Sequence, residues 1–132
     1  MQIYLSYKQT WIEKSRLLDE LLFFKSNIEK TWNNIFIYYL QENNELPPKE
    51  LDMKFLEKIK ESDLVLAYIN YSEKSEWQLL ELGMAYALNK KILILINEKI
   101  EKNYYLTYGL WKVIKFQKLE YLDFKKIING IN

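Results

Sequence analysis

Between Leu79 and Leu88 the chain reads LLELGMAYAL, nine uncharged residues around one carboxylate, Glu81. A charge in water-poor surroundings is strongly unfavourable unless it is paired, so this residue needs a reason for its place. Two readings supply one. Glu81 lies on a solvated stripe of an amphipathic helix, or it sits in the first turns of a helix whose N-terminus faces a ligand crevice and meets substrate there. Trp77, four residues earlier, shares that helix face and is either core or a wall of the crevice. Gly83 falls inside the same segment. A Gly within a helix costs roughly 1 kcal/mol relative to Ala, which predicts close packing against a strand or a ligand as compensation.

The rest of the composition narrows the chemistry. The 132 residues include no His and no Cys, which excludes a disulfide framework, a thiolate nucleophile, a Cys/His metal site and a histidine general base. Catalysis must come from carboxylates, hydroxyls, Lys or Arg. A formal net charge of +1 gives no electrostatic reason to expect nucleic acid. No apolar run approaches the about 20 residues that span a bilayer, and MQIYLSYKQT lacks the basic-then-apolar order of a secretory signal. The expectation is a single cytoplasmic domain over residues 1–132 with no metal and no cofactor.

Short apolar, β-rich runs alternate with longer segments of helical period, the pattern of a parallel sheet covered by helices. Strands are expected at Ile3–Tyr7, Ile35–Leu40, Asp63–Asn70, Lys91–Asn97 and, at an edge, Leu110–Phe116. Helices are expected at Trp11–Trp32, from Pro48 to about Glu61, over Ser75–Asn89 and over Tyr121–Ile131, with a polar loop at Gln41–Pro48. Ser75-Glu76-Trp77-Gln78 has the form of a capping box, with Ser75 as N-cap and Gln78 as its reciprocal partner. In such sheets ligands sit at the carboxyl ends of the strands, near the topological switch point.

These residues carry two family resemblances. Lys74-Ser75-Glu76-Trp77, followed by Glu81-Leu82, resembles the S-x-W-x-x-x-E-L segment of Toll/interleukin-receptor (TIR) domains. Ile3–Tyr7 resembles their opening strand, Asn43–Lys49 lies where they carry a loop, and Glu57–Asn70 resembles their helix leading into the third strand. Separately, Glu81 to Lys90 (ELGMAYALNK) is similar to the E-L-G-x-A-x-A-L-x-K segment of nucleoside 2-deoxyribosyltransferases and related deoxynucleotide N-hydrolases. The stretch from Asn103 to Gly109 resembles the region from which those enzymes lend an Asn to a neighbouring subunit's site. This chain departs from them at Ser6-Tyr7-Lys8, where they have a glycine turn, and at Phe55, where an active-site Asp is usual. The TIR-like reading therefore ranks first.

Both resemblances imply a flavodoxin-like three-layer α/β/α fold with about five parallel strands, and both imply cleavage of a ribose–heterocycle bond by a Glu at the position of Glu81. A carboxylate stabilises or captures the oxocarbenium-like transition state of such a cleavage. The first-ranked resemblance implies an NAD glycohydrolase or ADP-ribose cyclase, with NAD as substrate rather than cofactor. Its leaving group is neutral nicotinamide and needs no general acid. The second implies a deoxyribosyltransferase or N-hydrolase, and a third reading is a non-enzymatic TIR-type assembly module. The implied substrate-binding residues are Ser6, Tyr7, Lys8, Tyr71, Ser75 and Trp77, with Asn103 contributing to a neighbouring subunit's site. Tyr4 is a further residue able to stack or hydrogen-bond. The implied partners are a nucleotide or nucleoside, further copies of the chain and a downstream effector in bacterial immune signalling, with neither nucleic acid nor membrane.

Overall fold

The β-branched and aromatic runs form five strands: β1 (Gln2–Tyr7), β2 (Asn34–Phe36), β3 (Leu64–Ile69), β4 (Lys91–Asn97) and β5 (Lys112–Phe116). In the computed structural model, which describes residues 1–41, 48–73, 75–100 and 112–131, all pair in parallel in the order β2-β1-β3-β4-β5. Four α-helices accompany them: α1 (Lys14–Glu29), α2 (Pro48–Glu61), α3 (Glu76–Ala87) and α4 (Phe124–Asn129). This is the flavodoxin-like strand order, and it reverses direction between β1 and β3. β3 and the middle of β4 are buried throughout, as they must be when helices cover both faces.

Side-chain alternation along the strands divides the core in two. Ile3, Leu5, Leu64, Leu66, Leu93 and Leu95 pack with α1 and α4 on one face. Tyr4, Val65, Ala67, Ile92, Ile94 and Ile96 pack with α2 and α3 on the other. On β1 this parity sends Tyr4 and Ser6 to the side where α3 lies.

The elements follow the expected pattern with informative differences at their ends. The first helix starts and stops inside the expected Trp11–Trp32 span, because Trp11 (φ 66°) and Trp32 (φ 64°) adopt left-handed backbone that no helix continues through. The second strand ends at Phe36, not Leu40: its pairing with β1 stops at Tyr4↔Phe36, and Tyr38–Leu40 coils into a 3-10 turn. That turn is fixed by packing rather than by β propensity. The Tyr38 ring meets Phe55 of α2 edge-on at 5.0 Å, and the Tyr39 amide donates to the Tyr7 hydroxyl at 2.9 Å. The terminal helix is shorter than Tyr121–Ile131, because Leu119–Tyr121 forms a 3-10 turn and Asp123 caps α4 at the Lys126 amide, 3.1 Å away. Most of the loop expected at Gln41–Pro48, and positions 110 and 111 of the edge strand, lie outside the described residues.

Gly83 corrects an expectation. It faces outward, and a β-carbon built there has no neighbouring atom within 4 Å, so neither a strand nor another close-packed group explains the glycine. Gly83→Ala is therefore expected to stabilise the protein by up to about 1 kcal/mol, read as a higher urea midpoint at unchanged slope. A lower midpoint would show that the position requires glycine.

Candidate active site

The chain leaves β3 at the switch point and turns into α3 through Ser75, whose hydroxyl accepts the Gln78 amide at 3.2 Å as an N-cap. Glu81 follows one turn later. It is only 7% exposed and is turned toward β1, so the reading of a solvated stripe is wrong. The Tyr4 hydroxyl donates to Oε2 of the carboxylate, and the Ser6 hydroxyl donates to Oε1 at 3.1 Å. Burial pushes the Glu81 carboxyl up to about 7, against the opposing pull of those two hydroxyls. Burial and the adjacent Glu81 charge push the Tyr4 phenol far upward, so it remains a proton donor at neutral pH.

A cavity of about 160 Å³ opens on this carboxylate, beside the stretch of β1 that β2 leaves behind. Of the residues the sequence singled out, Glu81, Tyr7, Ser75 and Trp77 line it. Tyr38, Phe55 and Trp77 make a wall of rings in series: Phe55 meets Tyr38 at 5.0 Å and 77°, and Trp77 at 5.5 Å and 73°. Gln9 and Thr10, just beyond β1, supply polar groups at the same cavity. The arrangement combines one ionisable carboxylate, a few hydroxyls and an aromatic wall at the crevice where open α/β sheets take ligands.

Three of the remaining candidates, Ser6, Lys8 and Tyr71, do not line the cavity. Ser6 is fully buried behind the carboxylate, so it holds Glu81 rather than presenting a surface to substrate. Lys8 is not among the residues lining the cavity. Tyr71 is not either: its hydroxyl donates to Glu20 at 3.2 Å, the Arg16 guanidinium lies 5.0 Å over its ring, and burial followed by the Glu20 charge raises it to about 12. Asn103 lies outside the described residues. Among the described residues no cluster of three or more carboxylates could hold a metal, and no helix is long and apolar enough to cross a membrane.

Sequence reasoning underrated Tyr4, although its alternation with Ser6 on β1 put both on one face. It also missed two long-range partners of Gln78, whose carboxamide donates to the Ser6 and Tyr68 carbonyls, each at 3.0 Å.

No protein-family model matches the chain, and no curated protein matches it. Similar solved structures do exist. A CMP N-glycosidase from Clostridium botulinum aligns over 100% of both chains at 23% identity and a TM-score of 0.67. A 2-deoxyribosyltransferase from Bacillus psychrosaccharolyticus aligns over 96% of both at 18% identity and a TM-score of 0.71. A 2-deoxyribosyltransferase from Leishmania mexicana covers 82% of this chain and 71% of its own at 17% identity and a TM-score of 0.61. At these identities the likeness is one of fold. All three are named for N-glycosidase or 2-deoxyribosyltransferase activities and none is a TIR domain, which favours the second of the two resemblances over the first.

The Glu81 environment has a measurable consequence for stability. The folded protein holds this proton with a pKa of about 7, against 4.5 ordinarily, so the burden of ionising it is absent below about pH 4.5 and grows as pH rises to 7. At alkaline pH it amounts to about 3 kcal/mol. Glu81→Gln removes it. The stability of the variant relative to wild type should rise by about 3 kcal/mol between pH 4 and pH 9 in urea titrations. A difference that stays constant over that range would contradict the buried-carboxylate assignment.

Proposed function

We propose that this protein breaks the N-glycosidic bond of a nucleoside or nucleotide, with Glu81 meeting the anomeric carbon. The observation that carries the reading is a carboxylate that is buried yet titrates near neutrality, held by Tyr4 and Ser6 at the wall of a small cavity. As the C1′–N bond breaks, its electron pair leaves with the heterocycle and positive charge develops at C1′. An ionised Glu81 stabilises that charge or forms the C1′–O bond itself; the departing base takes up a proton from solvent, and water or a second heterocycle, giving up a proton, then bonds to C1′ and releases Glu81. The wall formed by Tyr38, Phe55 and Trp77 offers planar surfaces to the heterocycle.

One further fact supports a mononucleoside or mononucleotide over NAD: the structures that share this fold include a CMP N-glycosidase and two 2-deoxyribosyltransferases.

The test incubates purified protein with ribo- and deoxyribonucleosides, their 5′-monophosphates and NAD, with and without a free base as acceptor, and follows released base by chromatography. Base release or exchange from a mononucleoside or mononucleotide is expected, falling about 100-fold or more in Glu81→Gln. Undiminished release in that variant would remove Glu81 from the reaction. Turnover of NAD alone would restore the dinucleotide reading, and turnover of none would leave an assembly module.

The pH dependence has a definite sign. The ionised carboxylate reacts, so the rate should rise with pH through a midpoint near 7. Tyr4→Phe removes a donor that favours the ionised form and should move the midpoint upward by about one pH unit. A rate that falls through this range would instead make Glu81 a proton donor.

A further inference from the structure

We infer that Gln78 is a positioning residue: with Glu81, one turn further along α3, it clamps Ser6 from two sides and so fixes the carboxylate at the cavity. The inference rests on the reading of Glu81 as the reacting group, and it concerns a residue that does not itself line the cavity.

Gln78 is 2% exposed, among the few buried polar side chains of the described residues. A buried carboxamide persists where its hydrogen bonds are made. Both Nε2 protons are used, one on the Ser6 carbonyl of β1 and one on the Tyr68 carbonyl of β3, each at 3.0 Å. Two carbonyl acceptors require the amide nitrogen rather than its oxygen at this point, so the partners themselves fix the orientation. Ser6 and Tyr68 lie one register step apart on adjacent strands, Ser6 opposite Ala67 and Tyr7 opposite Tyr68. A single side chain thus ties the first turn of α3 across the switch point.

Ser6 is held twice. Its carbonyl accepts from Gln78 and its hydroxyl donates to Oε1 of Glu81 at 3.1 Å. Residues three apart on a helix share a face, so Gln78 and Glu81 reach the same residue of β1 only in one helical register and rotation. The Ser75 cap on the Gln78 amide sets where the helix begins, and the carboxamide sets how it lies on the sheet. Without the carboxamide, α3 is free to roll or slide by the few tenths of an ångström that separate a good hydrogen bond from Ser6 to Glu81 from a poor one.

The titratable groups facing Glu81 among the described residues are Tyr4 and, further off, Tyr7, both on β1 and both kept protonated by burial. The titration midpoint near neutrality therefore reports Glu81 itself. Its carboxyl carbon can be followed by NMR in glutamate-labelled protein, assigned by its disappearance in Glu81→Gln, and this readout needs no turnover. In Gln78→Met, similar in length but without donors, the Glu81 midpoint should rise by about one pH unit, and kcat should fall while KM changes little. Gln78→Asn, one methylene short, should move the midpoint in the same direction and serves if the Met variant does not fold. In a Ser6→Ala background the Gln78 substitution should add no further shift, because the clamp has already lost its grip on the carboxylate.

Ile128→Val, a core substitution on the far face of the sheet, controls for general loss of stability. An unchanged midpoint in both Gln78 variants, or an equal shift in the Ile128→Val control, would overturn the inference. Absence of base release from wild type would overturn the proposed function, while the NMR midpoint would still decide whether Gln78 positions Glu81.

Discussion

A carboxylate held against two hydroxyls of β1 is the constraint on which the site depends. Glu81 could not be this buried without partners, because removing a charged group from water is strongly unfavourable. Tyr4 and Ser6 supply donors to its two oxygens. They offset only part of the burial, which leaves the carboxyl titrating near 7. The result is a group that is neither a buried neutral acid nor an ordinary surface carboxylate, and that carries substantial negative charge at neutral pH next to a cavity.

The fold makes this possible through strand parity and an early strand end. Alternation on β1 sends Ile3, Leu5 and Tyr7 toward α1, and Tyr4 and Ser6 toward α3. One element therefore feeds the core on one face and holds the carboxylate on the other, and Tyr7 at its carboxyl end also lines the cavity. β2 stops pairing at Phe36, and the chain turns aside through Tyr38 to Leu40. The upper part of β1 then borders the cavity, with α2 and α3 closing it through Phe55 and Trp77. A longer second strand would have filled the space where the ligand is proposed to sit.

Much of this was legible in the sequence. β3 and β4 stood out as uninterrupted apolar runs, Pro48 marked the start of α2, and Ser75 marked the cap of α3. Glu81 stood out because it was the one charge in an apolar segment. Other features depended on contacts between residues distant in sequence. IFIYYL reads as six residues of strand, whereas its second half forms a 3-10 turn held by the Tyr38–Phe55 packing and the Tyr39–Tyr7 hydrogen bond. Ser75 caps α3 as the local rule expects, but the donation from the Gln78 carboxamide to carbonyls 72 and 10 residues away depends on the fold and is invisible to any local rule. Gly83 has no packing reason in the structure, and local reasoning about helix glycines supplied one that the fold does not use.

The central claim is that the anomeric carbon of a nucleoside comes to rest beside Glu81. A crystal structure of the Glu81→Gln protein with a bound nucleoside or nucleotide tests it most directly. The expected result places C1′ within about 3–3.5 Å of the residue-81 side chain, the distance of a near-attack geometry, with the heterocycle toward Phe55 and Trp77. A sugar bound at another crevice, or one in this cavity with C1′ turned away from residue 81, would contradict it.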